Sequence, residues 1–239
     1  MSSKSGSSIL LNLKELLATG LFSDLTLSCE GKQFKVHKNI LYTSSPVFRR
    51  LLSGGFKEAK EDCGMIELED DNAEALQTLL HYFYNFVYDD SFLGHGSSLS
   101  LPVKVYAIAD KYEVPQLQTM AAGKLKKVCD PHKDIEDFVS TIYLIDQNTN
   151  PEDRTLWNIV LPVIKNNIHY LLESEQFQTL IFEMKDLNLS LLSLLNRSSG
   201  SAPPTVLTGG VTSAEEDEDY DGASQIIHYG RHGPGRRLG

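Results

Sequence analysis

Basic residues are in short supply in this chain of 239 residues. Lys and Arg number 22 against 32 Asp and Glu, a formal net charge of −10. Sequence-independent binding to nucleic acid depends on cations that release the counterions of the phosphates. Anionic membrane surfaces attract basic segments by the same attraction. The charge therefore argues against both as direct partners. Cysteine is also sparse. Cys29, Cys63 and Cys129 lie far apart, show no metal-ligand spacing and are odd in number, which suggests free thiols in a reducing compartment. No apolar run approaches the roughly 20 residues of a membrane-spanning helix. The opening MSSKSGSS holds no apolar run of signal-peptide length before Lys14 and Glu15. These absences lead to the expectation of a cytoplasmic and/or nuclear protein.

Catalytic patterns are missing as well. There is no G-x-S-x-G elbow and no Gly-rich phosphate loop ending in Lys-Ser/Thr. His95, His132, His169, His228 and His232 are scattered, and no paired cysteines accompany them. His228 and His232 stand four apart in a Gly-rich stretch with no third ligand in sight. The expectation is no catalysis, no cofactor and no metal.

What is present is a chain 41% hydrophobic, enough for a core, whose apolar residues follow readable periods. Ile9 to Leu17 reads as a short amphipathic helix with Leu10, Leu13, Leu16 and Leu17 on one face, and Gly20 can stop it. Leu25, Leu27 and Cys29 alternate with polar residues, Glu30-Gly31-Lys32 can turn, and Phe34 and Val36 alternate again: a β-hairpin. Ser45 can cap a helix that Pro46 begins and Gly54-Gly55 ends. Met65–Leu68 reads as a third strand. Asp71 with Glu74 fits a capping box, opening a helix with Leu76, Leu79, Leu80, Phe83, Tyr84 and Val87 on its apolar stripe and His81 as a half-buried packing residue.

A loop from Asp89 to Ser100 follows, then helices over Pro102–Tyr112 and Pro115–Val128, the second burying Leu117, Met120, Ala121, Leu125 and Val128. Asp130-Pro131 marks a break. From Ile135 to about Asn196 the pattern is helical: a segment with Phe138, Val139, Ile142, Tyr143 and Ile145, a second opened by Pro151 and kinked or divided at Pro162, a third from Leu171 to Met184, and the leucine-rich run to Leu195. These helices carry too many apolar residues to stay exposed and should pack together and onto the preceding domain. Beyond Arg197 the chain is rich in Ser, Gly, Pro and Thr. It then runs into the acidic block Glu215–Asp221 and ends with Arg231, Arg236 and Arg237 among glycines. This composition cannot bury a core.

The ordered set Asp24, then Phe34, Val36, His37, Lys38 and Leu41, then Ser45 and Phe48, then Phe56 and Glu58, resembles the BTB/POZ family. Ala107-Ile108-Ala109-Asp110-Lys111-Tyr112 is similar to the segment that closes that fold. The single domain with a helical C-terminal extension resembles fungal-type chains, and the Asp89–Ser100 loop is longer than in many members. The resemblance implies an α+β fold, a small three-stranded sheet flanked by a cluster of helices. The expected organisation is a disordered N-terminus at 1–8, the domain at 9–129, an all-helical extension at 130–196 and a disordered tail at 197–239.

Function follows from the resemblance rather than from any chemistry. It implies a protein–protein interaction module that self-associates as a homodimer or higher oligomer, with the helix bearing Leu10, Leu13, Leu16 and Leu17 packing on a second subunit. It places Asp24 and Lys38 as a charge pair near the dimer floor, and His37 as a structural imidazole bonded to backbone. An apolar-x-Glu sequence in some members faces a cullin scaffold, and Phe56-Lys57-Glu58 matches it, with Phe56 as anchor and Glu58 as a polar contact. The expected partners are the chain itself, a cullin and an unidentified substrate or partner protein, with no direct nucleic acid and no membrane. The alternative is a scaffold or transcription-associated oligomeriser that uses the same fold without a ligase.

Overall fold

The computed structural model describes residues 13–55, 64–93 and 98–198. Three strands form one sheet in the order β2-β1-β3. β1 (Leu25–Cys29) and β2 (Lys32–Val36) pair antiparallel, with Leu25 opposite Val36 and Cys29 opposite Lys32. The two residues between them, Glu30 and Gly31, both take positive φ, 47° and 75°. Two residues in the left-handed backbone region make a turn whose twist matches the right-handed twist of its strands. The Glu30 carboxylate then accepts the Ala73 N–H at 2.9 Å. β3 (Met65–Glu67) runs parallel to β1 on its other side.

Helices share the core of the sheet. α1 spans residues 13–19. α2 (Lys38–Ser44) and α3 (Pro46–Arg50) follow the hairpin. Ser45 caps α3, its Oγ accepting the Phe48 N–H at 3.2 Å, with Pro46 in the first position. The next turn, Leu51–Gly55, is wound with π geometry and breaks at Gly54, φ 87°. α4 (Ala73–Asn85) buries Leu76, Leu79, Leu80, Phe83 and Tyr84, the expected stripe. α5 (Ser100–Lys111) packs against α4, α6 (Pro115–Val128) and α7 (Ile135–Asn148). α8 (Trp157–Asn166), α9 (Ile168–Leu171), α10 (Glu175–Glu183) and α11 (Lys185–Ser198) complete the described helices. One continuous cluster of buried side chains runs from Leu25 to Leu191, so the later helices share a core with the sheet.

Several expectations are corrected. The cap of α4 is Asn72, whose Oδ1 accepts the Ala75 N–H at 3.2 Å. Asp71 is free of that duty because it is buried against Lys111 and Tyr112. Val87 lies beyond α4 and is exposed, since Phe86 takes the left-handed conformation (φ 58°) that ends the helix. Met120 is exposed on α6, where Ala122 is buried instead. Pro151 opens a turn, not a helix. The Asp153 carboxylate accepts the Thr155 N–H there (2.9 Å) and the Tyr106 hydroxyl (2.6 Å), and α8 starts only at Trp157. α8 continues through Pro162, the sixth of its ten residues, where the missing N–H removes a single intrahelical bond. The segment from Leu171 to Met184 is divided at Ser174, which caps α10. Leu172 is exposed at that break. α11 extends through Ser198, two residues into the stretch expected to be tail.

Candidate interaction surfaces

The sequence motif residues converge around the start of β1 and the end of β2. Leu25, Leu27, Val36, Leu41 and Phe48 are all buried, and Phe34 is half-buried. Asp24 and Lys38 are both exposed. They meet through the backbone, the Asp24 Oδ1 accepting the Lys38 N–H at 2.8 Å. The carboxylate thus fixes the strand-to-helix corner, and in the single chain it does not form half of a buried ion pair.

His37 is buried at that corner and closes a circuit. Its Nε2 donates to the Leu21 carbonyl at 2.8 Å, and its Nδ1 accepts the Tyr84 hydroxyl at 2.7 Å. The Tyr84 oxygen in turn accepts the His37 backbone N–H at 3.1 Å. A carbonyl can only accept, so the neutral ring carries its proton on Nε2. Burial pushes the Tyr84 phenol up to about 12, so the hydroxyl stays a donor at neutral pH. The imidazole is committed on both nitrogens to holding the chain in place.

The part it holds is the segment between α1 and β1. Gly20 turns at φ 65° and Phe22 takes φ 61°, a conformation that costs a bulky residue of the order of 1–3 kcal/mol. The Ser23 N–H closes the turn on the Gly20 carbonyl at 3.1 Å. Leu21 is 56% exposed and Phe22 81% exposed. The leucines named from the helical period behave differently. Leu13, Leu16 and Leu17 are partly buried against the core of their own chain, and Leu10 lies outside the described residues. An exposed apolar surface therefore sits just after α1. Sequence reasoning missed it because an apolar pair between a helix and a strand reads as core by default.

A second polar junction fixes α3. The Asp71 side chain, only 3% exposed, accepts the Lys111 ammonium at 2.8 Å and the Tyr112 hydroxyl at 2.5 Å. Burial first, and then the Asp71 carboxylate, push the Tyr112 phenol far above its usual range. The Tyr112 ring stacks on Phe48 at 4.6 Å between centroids, and its carbonyl accepts the Ser45 hydroxyl at 2.6 Å. Tyr112, at the end of α5, thus clamps α3 on both sides of its first turn. The chain leaving α3 leads to Phe56 and Glu58, which lie outside the described residues. Met65 emerges exposed on β3 just beyond them.

The two described thiols are Cys29, buried, and Cys129, half-buried. Burial pushes the Cys29 and Cys129 thiols up to about 11, away from the thiolate that would act as nucleophile or metal ligand. Among the described residues no three His, Cys, Asp or Glu side chains are grouped to hold a metal ion. Among the same residues no helix is long and apolar enough to cross a membrane.

The family model described as BTB/POZ domain matches residues 13–128, the span that ends with α6. The chain carries a BTB/POZ domain. Kelch-like protein 40 of Xenopus laevis is 28% identical over 122 residues, covering 49% of this chain and 18% of that protein. BTB/POZ and MATH domain-containing protein 4 of Arabidopsis thaliana is 29% identical over 180 residues, 71% of this chain and 36% of the relative. Kelch repeat and BTB domain-containing protein 4 of Homo sapiens is 25% identical over 169 residues, 69% of this chain and 28% of the relative. The chain therefore matches little more than a third of each of these proteins at most. The BTB/POZ domain is a protein–protein interaction module, and the family it defines is non-enzymatic. The arrangement above fits that role: buried polar groups are spent on holding loops, and the apolar surface is left outside.

Proposed function

We propose that this BTB/POZ chain self-associates through the Leu21–Phe22 turn together with α1, and recruits a cullin-based ubiquitin ligase through Phe56 and Glu58. The observation that carries the first half is Phe22. A large aromatic ring held outward in a strained backbone conformation, by a buried histidine latch, has the character of an interface anchor. Leu13, Leu16 and Leu17 would then brace that anchor from their own chain, and Leu10 would extend the contact. The second half rests on the family resemblance of Phe56-Lys57-Glu58, at the exit of an α3 firmly clamped by Tyr112. The helices after residue 128 would carry the surface that reads a substrate or a partner protein.

Capture of a purified cullin by the immobilised chain tests the recruiting half. The double variant Phe56→Ala, Glu58→Ala is expected to lose capture, since removing a hot-spot residue costs about 2 kcal/mol or more, with an unchanged melting temperature. A wild-type chain that captures no cullin would reject the adaptor role and leave a non-ligase scaffold or transcription-associated oligomeriser as the reading. A variant that melts early would assign Phe56 to the core instead.

A further inference from the structure

Among the described residues no strand pairs with the outer side of β2, which runs beside a groove of about 610 Å³. Thr26 bonds toward β3 through Gly64, and Ser28 does so through Leu68. Leu25, Leu27 and Cys29 therefore turn their backbone groups to β2, where Val36, Phe34 and Lys32 receive them. That register turns the N–H and C=O groups of Gln33 and Lys35 outward, along the free side of an edge strand. Gln33, Phe34 and Lys35 all line the groove. Its floor is apolar, with Leu17 of α1, half-buried Phe34 and Leu80 of α4. At its end the Asn85 Oδ1 is buried without a hydrogen-bond partner. An exposed strand edge and an apolar slot beside it form a peptide-binding arrangement.

Charge narrows the choice of occupant. Lys14 and Lys35 are exposed at the rim. Among the described lining residues the one carboxylate, Asp89, already accepts the N–H and the hydroxyl of Ser91, at 3.0 and 2.6 Å. The rim is thus locally cationic in a chain of net charge −10. Residues 1–12 of this chain carry Lys4 and no carboxylate, so charge does not favour them as the occupant. We infer that β2 accepts an extended peptide of a partner protein, one that alternates apolar with acidic residues. It adds as a fourth strand, sends its apolar side chains between Phe34 and Leu80, and sets its carboxylates against Lys14 and Lys35. Peptide binding and cullin capture are separate measurements, so either can fail without the other.

Fluorescence anisotropy of the full chain with a labelled peptide of alternating valine and glutamate tests this directly. Saturable binding is expected. Gln33→Pro removes an outward N–H without touching the β1 ladder and should weaken binding by about tenfold or more. Lys35→Glu should weaken it too, and should reverse the preference toward a valine–lysine peptide. Hydrogen exchange supplies a second readout on the unaltered chain. The Gln33 and Lys35 amides should exchange fast when free and slowly once the valine–glutamate peptide is bound. Absence of saturable binding, or equal binding by Gln33→Pro, would overturn the inference. So would amides already slow in the free chain: slow at every concentration means the chain's own segment fills the edge, and slow only at high concentration means a second copy does.

Discussion

The BTB/POZ domain and the helices after it bury apolar side chains alike, yet among the described residues most buried polar side chains lie in the domain, where the Asn85 Oδ1 is an exception to their pairing. Up to residue 128 the buried polar side chains among the described residues are Ser28, His37, Ser45, Asp71 and Thr78. Each has partners: Glu67 for Ser28, Tyr84 and Leu21 for His37, Tyr112 for Ser45 and Asp71, the Glu74 carbonyl for Thr78. Beyond it the one such residue described is Thr141, and its hydroxyl has no partner. Phe182 at 87% exposure, with Leu189 and Leu192, faces outward on α10 and α11. A satisfied buried network ties distant segments to one arrangement, because any other leaves groups unpaired. Apolar packing alone specifies less. The domain holds two loops at fixed positions through buried ties, whereas the extension is held by apolar packing and by partly exposed ties such as Asp153 to Tyr106 and Glu183 to Tyr143.

Breaking the Asp71 junction should have the largest effect. Asp71→Ala leaves the Tyr112 hydroxyl buried without its acceptor, and loss of a hydrogen bond to a charged group costs about 1.5–3 kcal/mol. Lys111 is half exposed and regains water, so its share is small. Chemical denaturation of the variant measures the sum. The next contrast sharpens the comparison itself. Ser45→Ala removes a cap and a buried bond to Tyr112 and should destabilise by about 1 kcal/mol. Thr141→Val removes a hydroxyl that bonds nothing, and should stabilise by up to about 1 kcal/mol. Equal losses from the two would erase the distinction drawn between the regions.

The smallest expected effect is a pH response at His81, which lines the groove on α4. Burial lowers its pKa from 6.5, Lys14 acts in the same direction, and Asp89 opposes them. The folded chain then holds fewer protons at this site than the unfolded chain once the pH falls below about 6.5. Its contribution is flat above that pH, and stability declines as the pH falls toward the lowered folded value. The melting temperature of His81→Gln should show a shallower decline than wild type between neutral pH and about pH 5.5.

Local signals were legible in the sequence and long-range polar pairings were not. The bounds of α6, the Ser45 cap and the stripe of α4 follow from residues within a few positions of one another. Asp71 reads as a capping residue because Glu74 stands three positions on, while its actual partners lie 40 and 41 residues away. The latch from His37 to Tyr84 spans 47 residues, so the sequence offered the histidine's structural role without its partner. Phe22 was missed for the reverse reason. Periodicity assigns apolar residues to faces of regular elements, and Phe22 stands in a turn that belongs to none. Phe56 and Glu58, read from the family pattern, lie where the structure describes nothing.

Sedimentation equilibrium of wild type beside Phe22→Asp is the most direct measurement of self-association. A wild-type mass of at least two chains is predicted, falling to one chain in Phe22→Asp with circular dichroism unchanged, because Phe22, 81% exposed, adds little to the core. Leu13→Asp with Leu16→Asp should also lower the mass, but with a loss of thermal stability, since those leucines are half-buried in their own domain. A wild-type chain that stays monomeric at high concentration, or a Phe22→Asp variant of undiminished mass, would contradict the account.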